Sequence, residues 1–120
     1  MRLACALAVM TLGLVLVLIP GAVLVGASAW AATPEGRRIM LHGNEQGALP
    51  CAACHGMRGQ GNPATGAPAL AGRPQAQIMA ALARQAAGQG HDAVMASIAR
   101  ALSPAERKAV AAYFASLPKP

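Results

Sequence analysis

Aromatic residues are nearly absent from this chain, whose 120 residues include one Trp, one Tyr and one Phe. Alanine dominates the apolar positions instead, so side chains alone would build a poor core in a chain of this size. Acidic residues are also scarce, at four, and no acid–base pair or nucleophile stands out for catalysis. No stretch alternates β-branched with polar residues, as strands do. These absences predict an all-α chain that needs something other than its side chains at the centre.

Charge is missing from a long N-terminal stretch. Arg2 is followed by an apolar run, residues 3–32, that carries no charged residue and is interrupted by Pro20-Gly21. This pattern is typical of an export signal or a membrane anchor. Two small-x-small triplets would permit cleavage, which we expect near Ala31; they are Ala27-Ser28-Ala29 and Ala29-Trp30-Ala31.

The chain therefore divides into two parts. Residues 1–31 are expected to be a signal peptide or an N-terminal membrane anchor, because the run is long enough to span a bilayer if it stays uncleaved. Residues 32–120 are expected to form one small exported domain. This domain would be attached to a membrane only if the N-terminal segment were retained.

Two of the three cysteines lie in the stretch Cys51-Ala52-Ala53-Cys54-His55. Thiols at i and i+3, with an imidazole at i+4, share one face of a helical turn. This is the spacing by which a c-type haem is held, through two thioethers and a histidine ligand to the iron. We predict one haem c, covalently attached through Cys51 and Cys54, with His55 as an iron ligand. A haem is a large apolar body, so it would supply the buried surface that the side chains lack.

Two other kinds of site are built from similar residues, a redox-active dithiol and a structural zinc site. A thioredoxin-like dithiol needs a βαβ scaffold, and no strand is expected here. A structural zinc site would need a fourth ligand beside the motif, and His42 and His91 do not form a second paired knuckle.

Helix signals divide the rest of the domain. Thr33 is expected to cap a first helix, with Pro34 at its first position, that ends at Gly43. A loop rich in glycine and proline follows the haem motif. Three further helices are expected: one from Pro74 to Ala87, one capped by Asp92, and one opened by the capping box Ser103-Pro104-Ala105-Glu106.

The charge balance is basic, with ten Lys and Arg against four Asp and Glu and a formal net charge of +6. The cations are spread along the chain with almost no aromatic residues between them, and the protein is expected to be exported. Both features argue against nucleic acid as a partner. A docking surface for an acidic redox protein is the functional alternative to a generally solvated face.

The chain resembles a class I c-type cytochrome, and within that class the small bacterial periplasmic single-haem domains. The resemblance runs over residues 36–117. It rests on the following stretches: Cys51-Ala-Ala-Cys54-His55-Gly56, Pro68-Ala-Leu70-Ala-Gly72, Met95-Ala-Ser-Ile98-Ala, and Leu102-Ser-Pro-Ala-Glu106 leading to Val110-Ala-Ala-Tyr113-Phe114. It implies a cytochrome c fold, with three to five short helices around one haem, first and last helices crossing at Gly36 and Tyr113, and location in the periplasm or at the periplasmic face of the inner membrane.

The resemblance also implies roles for single residues. His55 resembles the proximal ligand and Met95 the distal one, with Val94, Ile98 and Leu102 excluding water around its sulfur. Pro68 resembles the residue whose carbonyl accepts the second imidazole N–H, and Leu70 resembles a haem-packing residue.

Other sixth ligands remain open, because a methionine on an amphipathic stripe is usually a core residue. Met79 is the main rival to Met95, and His42 or His91 would give a bis-histidine haem. Met57 is too close to His55 to reach the opposite haem face, and Met40 lies on a helix that is needed for the terminal crossing.

A haem with His and Met ligands has no open position for substrate, so the implied task is to carry one electron at a time between redox partner proteins. The alternative is an electron-accepting subunit of a membrane-associated dehydrogenase or oxidase complex. An open sixth position would instead indicate a gas sensor or a peroxidatic site.

Overall fold

A computed structural model describes residues 27–120 of the chain. Five helices form there, and within this range no strand is present beyond one isolated bridge between Asn62 and Ala67. The helices are α1 (Ala27–His42), α2 (Ala52–His55), α3 (Gln75–Ala86), α4 (Ala93–Ala101) and α5 (Pro104–Ser116). The all-α prediction is confirmed. None of these helices is both long enough and apolar enough to cross a bilayer. Most of the segment predicted as a signal or anchor, residues 1–26, lies outside the described range.

Helix α1 begins upstream of the predicted start. The sequence predicts Thr33 as the N-cap, whereas α1 begins at Ala27 and contains Pro34 in its interior. Residues 27–32 are mostly alanine, the strongest helix former, and they extend the helix although proline removes one backbone hydrogen bond. The other end agrees with the prediction, since α1 ends at His42 and Gly43 has a φ of 70°.

Helices α1 and α5 cross in close contact. A Cβ atom placed on Gly36 would collide with the carbonyl oxygen of Ala109 and lie 2.7 Å from Cβ of Tyr113. Glycine has no Cβ and therefore allows the two backbones to approach this closely. The predicted crossing of the first and last helices at Gly36 and Tyr113 is confirmed.

The core lies where α1, α3, α4 and α5 meet. Helix α3 packs against both α4 and α5, through its buried side chains Ile78 and Leu82. Phe114 is fully buried, whereas Tyr113 and Leu117 only pack against the edge of the core. The largest fully buried side chains are Ile39, Met40, Leu102 and Phe114.

Polar side chains cap the N-terminal ends of α4 and α5, as predicted. Oδ1 of Asp92 accepts hydrogen bonds from the backbone N–H groups of Val94, at 2.8 Å, and Met95, at 3.0 Å. Ser103 and Glu106 form both hydrogen bonds of a capping box at the start of α5. Each cap satisfies N–H groups that the first turn of a helix leaves without partners.

The side chain of Asn44 connects the segment before the haem motif with the junction between α4 and α5. Its Nδ2 donates to the carbonyl oxygen of Ala101 at 2.8 Å and lies 3.2 Å from each carboxylate oxygen of Glu106. Its Oδ1 accepts the N–H of Ala48 at 2.8 Å. One side chain therefore holds residues that are far apart in sequence, and so fixes where the haem motif begins.

Candidate haem site

The cysteine motif occupies a single helical turn. The carbonyl oxygen of Cys51 accepts the N–H of Cys54 at 3.3 Å and the N–H of His55 at 2.9 Å. Both thiols are free, with Cys51 partly buried and Cys54 exposed. Burial raises the pKa of the Cys51 thiol to about 11. The turn therefore presents two unpaired thiols and one imidazole, which is the donor set that a haem c requires.

Among the residues that the structure describes, the one polar side chain that is buried is His55, with 5% of its surface exposed. Its Nδ1 lies 2.8 Å from the carbonyl oxygen of Pro68. A carbonyl only accepts, so Nδ1 carries the proton and Nε2 holds a lone pair. Within residues 27–120, Nε2 has no hydrogen-bond partner. The imidazole is thus oriented, fixed in one tautomer and able to bind a metal through Nε2, as a haem iron requires.

The loop between α2 and α3 brings Pro68 back to His55. The N–H of Gly61 donates to the carbonyl oxygen of His55 at 2.8 Å, and the N–H of Leu70 donates to the carbonyl oxygen of Gly59 at 2.8 Å. Leu70 is partly buried and packs against the core. The loop therefore brings Pro68 to the imidazole and Leu70 to the core.

Gly59 sets how close this loop comes to the core. A Cβ on Gly59 would lie 2.8 Å from two ring carbons of Phe114, and the residue has a φ of 65°. The hydroxyl of Thr65 further ties the loop to the haem motif by donating to the carbonyl oxygen of Cys54 at 3.1 Å. The glycine-rich composition indicated a loop, but neither contact had a sequence signal, because both join residues that are distant in the chain.

The four methionines within residues 27–120 fall into three groups. Met40 is 1% exposed inside the core and Met57 is 65% exposed on the surface. Met95, on α4, and Met79, on α3, are both partly buried and both pack against the core. His42 and His91 are exposed. The buried and surface methionines are therefore poor ligands, while Met95 and Met79 remain candidates.

The three side chains expected to exclude water around the sulfur of Met95 differ in how deeply they are buried. Ile98 is 7% exposed and Leu102 is 2% exposed, so both are buried as expected. Val94, in the first turn of α4, is 54% exposed, and its part in excluding water from the Met95 sulfur stays a prediction.

Two curated relatives match most of the chain. Both are named thiosulfate dehydrogenase electron acceptor. The one from Thiomonas intermedia is 39% identical over 90 residues, which is 75% of this chain and 36% of the relative. The one from Stutzerimonas stutzeri is 36% identical over 94 residues, which is 78% of this chain and 44% of the relative. The chain thus spans less than half the length of these relatives.

Solved structures show the same fold. The cytochrome c4 of Acidithiobacillus ferrooxidans matches with a TM-score of 0.68 and 34% identity, over 72% of this chain and 51% of that one. The cytochrome c4 of Pseudomonas stutzeri matches with a TM-score of 0.69 and 28% identity, over 73% of this chain and 49% of that one. A thiosulfate dehydrogenase from Marichromatium purpuratum matches with a TM-score of 0.70 and 35% identity, over 72% of this chain and 19% of that one.

The sequence itself matches the cytochrome c family over residues 41–118, which include the haem motif, the loop and α3 to α5. Membership of this family implies a covalently bound haem c. Proteins of this family transfer electrons. The chain therefore belongs to the cytochrome c family.

Proposed function

We propose that this chain carries one electron at a time on a single haem c, bound through Cys51 and Cys54, with His55 and Met95 as the iron ligands. When bound, the haem supplies reversible one-electron chemistry. The observation that carries the proposal is the hydrogen bond between His55 and Pro68, at 2.8 Å. It holds the proton on Nδ1 and leaves Nε2 to the metal, and a carbonyl partner makes the imidazole a better donor.

Met95 would complete the site from the opposite side. Its backbone N–H is fixed by the cap on Asp92, at 3.0 Å, so the start of α4 holds this residue in place. The buried side chains of Ile98 and Leu102 keep water away from that side of α4. A thioether is a weak ligand, so exclusion of water matters more for Met95 than for His55.

Removal of the thiols tests the attachment. Changing both Cys51 and Cys54 to alanine should abolish haem that survives denaturing electrophoresis, whereas changing Cys5, which lies outside the motif, should leave it intact. If haem colour persists on the denaturing gel of the double variant, the assignment of Cys51 and Cys54 as the attachment sites is wrong.

We further propose that the electron donor is a dehydrogenase that oxidises thiosulfate. Two relatives carry the name of its electron acceptor, and a thiosulfate dehydrogenase contains a stretch that resembles this chain. One haem accepts one electron, so two molecules of this protein would be reduced for each two-electron oxidation. Stopped-flow mixing of the oxidised protein with a purified thiosulfate dehydrogenase and thiosulfate should reduce the haem, and no reduction should occur when thiosulfate is left out. A haem that stays oxidised in the complete mixture would exclude this donor.

A subunit of a larger oxidoreductase complex is the second candidate. The chain matches 19% of the thiosulfate dehydrogenase chain from Marichromatium purpuratum, which places a similar domain inside a longer protein. Gel filtration of detergent extracts would distinguish the two, because a lone carrier elutes at its own size and a subunit elutes with its partners.

The proposed location is the periplasm. Residues 1–31 would direct export, by cleavage near Ala31 or as a retained anchor at the periplasmic face of the inner membrane, and residues 32–120 would form the cytochrome domain. The mass of the protein from the exported fraction would report both the N-terminus and the covalent haem. A mass without haem, or recovery only from the cytoplasm, would contradict this proposal.

A further inference from the structure

A second concave site is lined by residues other than those proposed to hold the haem. It is a cavity of ≈ 390 Å³ between the segment 57–60 and the C-terminal residues 117–120. Its volume falls in the range of about 300–1,000 Å³ that small-ligand sites occupy. Cys51, Cys54, His55, Pro68, Leu70 and Met95 do not line it.

The charged side chains in this cavity have one sign. Arg58 and Lys119 line it, and no acidic residue does. Within residues 27–120 neither cation forms an ion pair, since the salt bridge found there joins Arg38 to Glu35. Gln60 adds an amide whose Oε1 accepts the N–H of Arg58 at 3.0 Å, so its NH₂ group remains a donor. The side chains of Arg58, Lys119 and Gln60 therefore offer donors and positive charge, which favour an anion.

The acidic residues lie elsewhere. Glu35, Glu45 and Glu106 are close enough to Arg38 for their charges to raise its pKa, and Asp92 caps α4. Three of the chain's four acids therefore cluster around the C-terminal half of α1. No acidic side chain lines the cavity beside the two cations.

The remaining wall is apolar, and the fold holds it in place. Met57, which is 65% exposed, and Leu117 form part of the lining. The C-terminal wall is fixed against the loop, because the N–H of Gly72 donates to the carbonyl oxygen of Phe114 at 2.8 Å. A Cβ on Gly72 would lie 2.5 Å from Cγ of Lys119. A ligand that fits this lining has both a carboxylate and an apolar group.

We propose that this cavity binds an acidic segment of a redox partner protein, with a carboxylate between Arg58 and Lys119 and an apolar neighbour against Met57 and Leu117. It gives the carrier an attachment point separate from the haem site, so that a partner is held while the haem exchanges its electron. The proposal rests on the proposed function, because the partner is the protein that gives or takes the electron.

The first test uses a defined probe. The reduced, haem-loaded protein is titrated with the peptide acetyl-Gly-Leu-Glu-Leu-Gly-amide and followed by the NMR shifts of backbone amides. We expect saturable shifts confined to residues 57–60, 71–72 and 117–119. A matched peptide with glutamine in place of glutamate should bind several-fold more weakly. Equal binding of the two peptides, or shifts at Cys51, Cys54 and Leu70 instead, would overturn the proposal.

Matched variants separate the cavity from the overall charge. Arg58→Glu with Lys119→Glu should weaken binding of the acidic peptide by about tenfold or more, since it replaces both cations with like charges. Arg84→Glu with Arg100→Glu makes the same change in net charge at exposed positions outside the cavity and should change binding by less than about twofold. Similar losses of peptide binding in both variants would show that long-range electrostatic attraction, and not a site in the cavity, binds the peptide. Unchanged haem absorbance and melting temperature verify that both variants fold.

The second test uses the partner. Reduction by the thiosulfate dehydrogenase should be slower for the variant changed at Arg58 and Lys119 than for the one changed at Arg84 and Arg100, at the same ionic strength. Equal rates would overturn a role for the cavity in partner binding. If the dehydrogenase does not reduce even the unchanged protein, the proposed donor is wrong, and the peptide titration alone decides whether the cavity binds acidic segments.

Discussion

At His55, one hydrogen bond decides which nitrogen is left for the metal. The carbonyl oxygen of Pro68, 2.8 Å from Nδ1, requires the proton there, and the ring is 5% exposed. An imidazole with one nitrogen satisfied has a single remaining site, which can accept a metal. The residues around His55 thus prepare a ligand before any haem is bound.

The sixth ligand can be tested at two residues. Met95→Ala should open the site to added ligands such as carbon monoxide and lower the reduction potential, because a neutral sulfur ligand favours the ferrous state. Met79→Ala is the matched control, since this methionine is also partly buried and packed against the core, and it should leave both properties nearly unchanged. Carbon monoxide difference spectra and redox titration are the measurements.

Two results would revise the assignment of the sixth ligand. The reverse pattern, with an effect from Met79→Ala only, would place the ligand on α3. No response from either variant would indicate a histidine ligand, or an open site and a function other than electron carriage.

At the scale of the helices, the crossing of α1 and α5 depends on one missing Cβ. Gly36→Ala should lower the free energy of unfolding by about 1–3 kcal/mol, because the new atom overlaps the backbone at Ala109 and Cβ of Tyr113. Arg37→Ala, at the exposed neighbouring position, should change it by less than about 0.5 kcal/mol. Urea unfolding of the haem-loaded proteins measures both. Equal stability of Gly36→Ala and the unchanged protein would mean that the helices can separate without cost.

The cap of α5 makes stability depend on pH. The pKa of the Glu106 carboxyl is below its ordinary value of 4.5, chiefly because the N–H of Ser103 donates to it, with a further contribution from Asn44 and an opposing effect of partial burial. A lowered pKa in the folded state stabilises the protein above the unfolded pKa, and this contribution is lost as the pH falls through the folded value.

Glu106→Gln should therefore be less stable than the unchanged protein at pH 7, and the difference should shrink as the pH falls below about 4.5. Glutamine can still form the capping box, so the comparison isolates the charge. Glu45→Gln, at an exposed residue, should show no such convergence. Urea unfolding between pH 3 and pH 7 measures the differences, and a constant gap for Glu106→Gln would show that its charge is not what stabilises the cap.

At the scale of the whole molecule, the excess of Lys and Arg over Asp and Glu, ten against four in the full sequence, governs encounter with partners. Electron exchange with an acidic partner should slow as salt rises, because ions screen charges over about 10 Å at ordinary ionic strength. Reduction by a small uncharged reductant should be insensitive to salt. Stopped-flow rates at several ionic strengths test this, and a rate with the partner that is flat or rising would indicate docking through apolar surface instead.

Sequence patterns were informative wherever the cause was local. The cap on Asp92 and the capping box at Ser103 formed as predicted, because each depends on residues within one turn. The start of α1 was mispredicted because a proline signal competed with an upstream run of alanines that also favours helix.

The sequence alone determined the haem motif, the all-α class and the basic charge, because these depend on residue type and on spacing within a few positions. The tertiary structure decided the rest. It brought Pro68 to His55, Asn44 to Ala101 and Glu106, and the C-terminal residues to the segment 57–60. It also separated Met95 and Met79 from the buried Met40 and the exposed Met57. Such contacts arise from loop closure and packing between distant segments, which no local pattern of side chains encodes.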